Sequence, residues 1–504
     1  MTDFDVIIVG SGIGGLVAGA LLAYYDQRTL ILESHSIPGG AAHGFSHRGF
    51  QFDSGPSFYC GLADANSLNP LRQVLTVLGE SLPIVPYDPL GYYHFPDSSL
   101  PVYAKGSQYQ SAVAQFTATG ANELAQFERR MLQMYDSLRE IPTLSLRADW
   151  SLLPTLVSRY GFSLLKLLMQ VGDISGSAGQ ILDQTVRDPW VRRLINLECF
   201  LLSGLKAEGT VAPEMAFMFG ERTNVAIEYP VGGSGAIVDA LVRGLERFGG
   251  QLRLRAHVEK ILVESQRVRG VQLRSGEVVT APVVISNATI WDTVTHLLNP
   301  EDLPMSYRET ALKTPAVESF MHLHLGIRAE GLSDLTGHHV VVHDAEKDIT
   351  VPGNTCMISI PSVWDAQLAP AGFHAVHAYT LEPYTGWQKD SVYPDQKRNR
   401  VQSLYRALER VIPDIRQRVE VELIGTPLTH ARFLRRYQGT YGPAIAAGQG
   451  QFPGPQTPIQ GLYRVGDSTM PGIGVPAVAA SGILCANTLV DPQQVKATLD
   501  RFGW

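Results

Sequence analysis

A glycine-rich turn set between two short, β-branched runs constrains this chain more than any other feature. Asp5-Val-Ile-Ile-Val9 reads as a buried parallel strand, and Gly10-Ser11-Gly12-Ile13-Gly14-Gly15 follows it at once. Residues Ile13 to Tyr25 then read as a helix, and a second buried strand, Thr29-Leu-Ile-Leu32, ends in Glu33. Strand, turn, helix, strand and acid together make the βαβ fingerprint of a dinucleotide site. Gly10 permits the tight turn, Gly12 lets backbone approach a pyrophosphate, and Gly15 lets helix and strand pack closely. The pyrophosphate would rest on the free N–H groups at the helix N-terminus. Glu33, eighteen residues after Gly15, is placed to accept hydrogen bonds from ribose hydroxyls. Turn glycines also occur without ligands, but both flanking strands and the acid favour a nucleotide.

The rest of the composition narrows the class. The 504 residues suggest about three domains, or two interleaved ones, and 45% hydrophobic content is ample for a large core. A net charge of −7, with no basic tail or arginine stripe, argues against nucleic acid as a partner. Cys60, Cys199, Cys356 and Cys485 are far apart and read as reduced core thiols. The fingerprint starts so near Met1 that we expect no signal or transit peptide and an intracellular location. No stretch is apolar for long enough to span a bilayer.

Downstream of Glu33 and Ser34, the pair Gly39-Gly40 precedes Ala41, and Phe52-Asp53-Ser-Gly55-Pro56-Ser57 follows. Glycine pairs this close to a nucleotide strand suit backbone passing against a flat, bulky ligand, or an ordinary loop. Flavoproteins of the amine-oxidase and phytoene-desaturase type carry such a pair just after the ribose acid, and that resemblance favours FAD over NAD. Helical patterns at Leu71–Leu78 and Glu123–Arg139 alternate with strands near Tyr92–Phe95 and Leu100–Tyr103. Trp150 to Val171 is dominated by Leu, Val, Phe and Tyr with few charges, Arg159 and Lys166 among them. It reads either as a buried helix pair or as a monotopic segment whose apolar side enters one leaflet while its cations face headgroups. Glu198 lies in another apolar helical stretch. Its carboxylate is a candidate proton donor or substrate-positioning acid, or the partner of Arg192 or Arg193.

Tyr229-Pro-Val-Gly232-Gly233-Ser-Gly235 precedes a helix ending near Phe248. Leu252–Ala256, Val258–Val263, Val268–Leu273 and Val278–Val279 then read as a meander, and Val283–Ser286 as a return to a parallel strand. His322 and His324 alternate on one strand face, and without a third ligand at recognisable spacing we expect no metal site. A helix is expected over Lys397–Val411. Near the end, a strand runs into Gly466-Asp467, a Gly-Pro loop follows, and a small-residue helix begins at Val475-Pro476, where proline needs no N–H partner. Asp467 would accept a bond from a ribityl hydroxyl of FAD. The positive end of that helix, past Gly474, would face the N1/O2 edge of the flavin and favour its anionic reduced form.

The ordered series of motifs resembles the phytoene desaturase and carotenoid isomerase superfamily of FAD-dependent oxidoreductases, and is most similar to prolycopene isomerases. It is carried by the fingerprint, by Phe52–Ser57, and by Glu198-Cys199-Phe200 with Tyr229–Gly235. It continues through Thr429-His430-Ala-Arg432-Phe433, Gly439-Thr-Tyr-Gly-Pro443 and Gly466-Asp467-Ser468. The resemblance implies an α/β FAD-binding Rossmann-like domain (1–75, 228–300 and 456–504) interleaved with an α+β substrate domain (76–227 and 301–455). It implies FAD contacts from Gly40, Ala41, Ser57 and Val258, and a hydrophobic polyene substrate reached from a membrane surface. The activity it implies is a carotenoid cis–trans isomerase or desaturase, with a related saturase or ketolase as alternative. A soluble amine or alcohol oxidase, and a flavin-free binder of prenylated proteins of the GDP-dissociation-inhibitor type, share the fold. One departure stands out. Related isomerases carry Cys-Phe-Pro-Gly-Gln-Gly where this chain has Thr469-Met-Pro-Gly-Ile473-Gly474, which removes a polar group near the expected reactive edge.

Overall fold

The computed structural model describes residues 2–504 apart from Pro56 and Ala226. The fingerprint folds as β1 (Val6–Val9), α1 (Ile13–Tyr24) and β2 (Thr29–Leu32). Both strands are buried throughout, and α1 is buried from Ile13 to Ala23. A helix apolar on all sides belongs between other layers, and α1 lies there. β1 is the centre of a five-stranded parallel sheet ordered Gln251–Arg253, β2, β1, Val283–Ser286, Leu462–Arg464. The expected meander therefore loses its first strand. Gln251–Arg253 follows the helix Gly233–Arg247, the crossover a parallel neighbour requires, and joins β2 instead. The other three, Val258–Glu264, Arg267–Leu273 and Val278–Thr280, form a separate antiparallel sheet. The C-terminal helix Val475–Leu489 packs on α1 so closely that a Cβ on Gly482 would lie 2.7 Å from the Gly14 carbonyl oxygen.

A second sheet of seven strands runs Val419–Gly425, Phe320–Arg328, Phe373–Leu381, Thr355–Ser359, His338–Val342, Gly91–Phe95, Ser98–Val102. Only the pairing of His338–Val342 with Gly91–Phe95 is parallel. Leu404 and Leu408 cluster with Leu323 and Leu325 of this sheet. The helix expected over Lys397–Val411 is two, Tyr393–Arg400 and Gln402–Val411, which meet at Val401.

Helices Ala118–Leu138, Pro189–Ser203 and Ala212–Asn224 share a core that includes Phe127, Met131, Leu194 and Phe219. Glu198 is inside it, 1% exposed. Its partner is neither Arg192, which pairs with Asp183, nor Arg193. Arg222 donates to Glu198 Oε1 at 2.8 Å, and the Tyr109 hydroxyl donates to the same oxygen at 3.1 Å. The Arg222 guanidinium lies 4.7 Å and 4.4 Å from the ring centres of Tyr109 and Phe219, and 3.7 Å from Glu128. Burial pushes the Glu128 carboxyl up to about 7 although Arg222 opposes it. Glu198 is thus the counter-ion of a buried arginine through Oε1, while its Oε2 is buried without a hydrogen-bond partner among the described residues.

Trp150 to Val171 is mostly surface, with only Leu152 and Ser163 buried. Helix Leu153–Met169, broken at Tyr160, buries only Ser163. Trp150, Phe162, Leu168 and Met169 are 82%, 70%, 68% and 73% exposed. The polar side chains face inward. Arg159 donates to the carbonyl of Trp504 at 2.6 Å and pairs with Asp500, and Ser163 and Lys166 both reach Glu140. Arg159 and Lys166 tie the helix down while staying partly exposed, Lys166 lying 4.7 Å over the Phe162 ring, and much of the helix's apolar side faces away from the protein.

Two substitutions check this packing. Gly482→Val should lower stability by about 1–3 kcal/mol through overpacking against α1, read as a reduced urea midpoint at unchanged slope. Arg222→Met should cost about 3–5 kcal/mol, because it strands buried carboxylates; an unchanged midpoint would contradict the ion-pair assignment.

Candidate dinucleotide site

The glycine turn is shaped by what lies beneath it. Gly10 has φ +97°, accessible to glycine at little cost. The Asn287 N–H donates to the Val9 carbonyl at 2.9 Å, and its side chain fills the space below the turn. A Cβ on Gly12 would lie 2.6 Å from Asn287 Nδ2, one on Gly14 2.9 Å from the Gly466 nitrogen, and one on Gly15 2.3 Å from the Gly10 carbonyl oxygen. Any side chain here would collide with the protein itself. Gly12, expected to yield room for a phosphate, yields it first to Asn287. Its turn leads directly into Ile13 and α1, whose first N–H groups have no acceptor in their own helix.

Glu33 is 8% exposed at the end of β2. Its Oε2 accepts from the Ser11 N–H at 2.8 Å and the Ser11 hydroxyl at 2.7 Å. Its Oε1 accepts from the His35 N–H at 2.8 Å and the Ser34 hydroxyl at 3.3 Å. The two hydroxyls can rotate away, so the carboxylate keeps capacity for ribose hydroxyls. The Ala256 N–H donates to the Glu33 carbonyl at 2.8 Å, which sets Val258 beside the same strand end.

The expected residues of the second and third motifs divide into two groups. Gly39 and Gly40 press on the protein: a Cβ on Gly40 would sit 3.1 Å from Gly12 Cα, and one on Gly39 2.7 Å from Val238. Ala41 follows, its carbonyl accepting from the Ser54 hydroxyl at 3.1 Å. Ser57 differs from expectation. Its hydroxyl is 3.3 Å from His338 Nε2, so it serves the seven-stranded sheet rather than the glycine turn. At the other end of the chain, Gly466 lies over Gly14, and its N–H donates to the Ser481 hydroxyl at 2.8 Å. Asp467 pairs with Arg436. Gly474 caps the helix that starts at Val475, and no atom lies within 4 Å of the position its Cβ would take. The N-terminus of α1, the Glu33 carboxylate and the Gly466-Asp467 loop thus lie together around the glycine turn, a set of groups that fits a dinucleotide.

Sequence reading missed what joins this cleft to the second sheet. Asp53, fully enclosed, accepts from the Tyr229 hydroxyl at 2.8 Å and from the N–H and hydroxyl of Ser234 at 2.8 Å and 2.6 Å. Burial raises its carboxyl above the usual range. The Asp53 carbonyl accepts from His324 Nε2 at 3.1 Å. His324 faces His377 across the sheet, their rings 4.2 Å apart and 6° from parallel. His322 continues the stack, its Nδ1 2.9 Å from His377 Nε2, with His430 5.1 Å beyond and Tyr441 5.0 Å beyond that. Phe320 closes it, 4.4 Å from Tyr441. Burial pushes His324 and His430 down to about 4, and His322 and His377 well below the ordinary range, so the wall is uncharged at neutral pH. It abuts the closing loop, since a Cβ on Gly442 would be 3.0 Å from Ile473 and 3.3 Å from the Asp467 Cβ. Alternation of His322 and His324 was visible beforehand; the strand register bringing in His377 was not.

The site's parts recur in known proteins. The sequence profile of flavin containing amine oxidoreductases matches residues 13–490. A chloroplastic prolycopene isomerase of an Oncidium hybrid cultivar is 34% identical over 96% of this chain and 83% of its own length. The neurosporene-forming phytoene desaturase of Rhodobacter capsulatus is 25% identical over 96% of this chain and 94% of its own. Among solved structures, an oxidoreductase from Methanosarcina mazei covers 95% of this chain and 99% of its own, with a TM-score of 0.61 at 19% identity, a likeness of fold. The chain belongs to the flavin-containing amine oxidoreductase family and is a flavin-dependent oxidoreductase or isomerase.

Proposed function

We propose that this chain binds FAD and acts on a carotenoid at a membrane surface, as a cis–trans isomerase. One observation carries the reading of the substrate. Ile473 lies against Gly442, the residue after Tyr441, so the loop before Gly474 is next to a buried run of aromatic and uncharged imidazole rings, a neighbourhood that suits an apolar polyene better than a charged substrate. Asp53, buried under three donors, is closed to a cationic amine. The higher identity to a prolycopene isomerase than to a phytoene desaturase, 34% against 25%, favours isomerisation over desaturation.

Reduced FAD held here would lend electron density that transiently lowers the bond order of a polyene double bond and would recover it after rotation, with no net redox change. The chain's own residues do the rest. The glycine turn and α1 would hold the phosphates, Glu33 the ribose, and Asp467 the ribityl chain. The N-terminus of Val475–Leu489 offers its partial positive charge toward the open side of Gly474. Ile473 makes that edge apolar, in keeping with a hydrocarbon substrate. The inverted helix Leu153–Met169 supports a lipid-facing role, because a large outward apolar side with inward polar ties suits one leaflet better than water. Among the described residues no helix is long and apolar enough to cross a membrane.

Anaerobic incubation with a poly-cis carotenoid tests the reaction. Reduced enzyme should yield the trans isomer at unchanged mass while oxidised enzyme does not; products lighter by hydrogen would establish a desaturase instead. Membrane attachment is tested by Phe162→Asp with Leu168→Asp. Each exposed side chain contributes about 1.5–3 kcal/mol when buried in lipid, so sedimentation with liposomes should fall by more than about tenfold while flavin content stays constant. Undiminished sedimentation would remove this helix from the interface.

A further inference from the structure

One guanidinium in the helical layer faces two carboxyl groups. Arg222, on Ala212–Asn224, donates to Glu198 Oε1 of Pro189–Ser203 at 2.8 Å but stands 3.7 Å from Glu128 Oε1 of Ala118–Leu138. All three side chains are buried. Helix Gly106–Ala114 adds two donors: the Tyr109 hydroxyl reaches Glu198 Oε1 at 3.1 Å, and Gln110 Nε2 reaches Glu128 Oε2 at 2.7 Å. Two carboxyl oxygens are left over. Glu128 Oε1 and Glu198 Oε2 are both buried with no hydrogen-bond partner among the described residues. Tyr93, on strand Gly91–Phe95, is a further titratable side chain at the cluster; burial holds the Tyr93 and Tyr109 phenols above their ordinary range, so neither adds charge. On the helix of Glu128 itself, Arg129 is exposed and Arg130 pairs with Asp173.

With both carboxyl groups ionised, this cluster would bury an excess negative charge and two bare acceptors, and each is costly. One proton removes both costs. With Glu128 in its acid form, the cluster holds one cation and one anion at hydrogen-bond distance. Glu128 Oε2 already accepts from Gln110, so the proton belongs on Oε1. That oxygen then becomes a donor, and Glu198 Oε2 is the acceptor the cluster leaves open. The 3.7 Å gap between Arg222 and Glu128 agrees, since an ionised Glu128 would draw the guanidinium into contact. We propose that Glu128 and Glu198 share one proton, a latch that joins Ala118–Leu138 to Pro189–Ser203 beside Arg222 and opens when the proton is lost. Helix Ala118–Leu138 also carries fastenings of the outward helix Leu153–Met169 and the turn after it, through Gln170 to Ser137 at 3.1 Å and Asp173 to Arg130. Burial retains the proton, and it pushes the Glu128 carboxyl up to about 7.

Urea unfolding of the full chain, followed at two pH values, tests the latch. A carboxyl that holds its proton more tightly in the folded chain than in the unfolded one stabilises the fold at acid pH, and that contribution is lost as pH rises through about 7. Between pH about 5 and about 8, the folding equilibrium constant of the parent should fall by more than about tenfold relative to that of Glu128→Gln. Glutamine keeps the shape of the neutral acid and a donor to offer, so Glu128→Gln should fold and lose this part of the pH response. Glu198→Gln takes away the bonded counter-ion of Arg222 and should lower the folding constant by about tenfold or more at both pH values. The infrared difference between parent and Glu128→Gln at pH about 6 should carry the band of a neutral carboxyl rather than a carboxylate. A carboxylate band, or the same pH response in parent and Glu128→Gln, would overturn the latch. Failure of Glu128→Gln to fold would overturn it too, because the amide is the isostere of the acid form. Equal tolerance of the two glutamines would overturn the placing of the proton on Glu128.

Discussion

Backbone-to-backbone approach at Gly14 holds the two ends of this polypeptide together. The Gly466 nitrogen lies 2.9 Å from where a Gly14 Cβ would be, and Gly482 meets the Gly14 carbonyl from the C-terminal helix. No side chain can be interposed at either contact. Strand Leu462–Arg464 and its loop are thereby set beside a turn formed some 450 residues earlier. The placement of the Gly466-Asp467 loop at the N-terminus of α1 follows from this contact. Asn287 fills what remains beneath the turn, so the shape of the cradle is a property of the folded protein, not of a ligand pressed into it.

A second constraint couples that cradle to the large sheet. Asp53 is buried with three donors on its carboxylate and a histidine on its carbonyl. Its motif and the Tyr229–Ser234 motif are therefore two halves of one lock. Removing a donor would leave a buried acceptor unsatisfied, at a cost of about 1–3 kcal/mol. The stacked imidazoles hang from this lock. Low-dielectric burial keeps them neutral, and neutrality keeps the wall compatible with an apolar molecule.

Polar groups are treated differently in the helical layer. There Arg222 pairs with Glu198 and lies 3.7 Å from Glu128 among aromatic rings, so these buried groups tie three helices together. The outer helix Leu153–Met169 reverses the usual arrangement, with ions inward and hydrophobic side chains outward. Amphipathic helices of this orientation belong at a boundary with something less polar than water. The same residue types are thus buried in one helix and exposed in another, and only position separates them.

Local spacing by itself determined β1, the glycine turn, α1 and β2, because strand period, turn chemistry and helix start all lie within thirty residues. The acid at the end of β2, Glu33, and the strand-to-helix passage through Gly466-Asp467 were legible for the same reason. Contacts between distant segments were not. Nothing local tells that Gln251–Arg253 joins β2, that His324 faces His377, that Arg222 claims Glu198, or that Ser57 turns to His338. Composition likewise left Trp150–Val171 undecided between core and surface, since an apolar run looks alike in both. Tertiary structure settled each of these, because register, helix facing and ion pairing depend on which surfaces meet, and that choice is made by the whole chain minimising exposed apolar area and unpaired buried charge together.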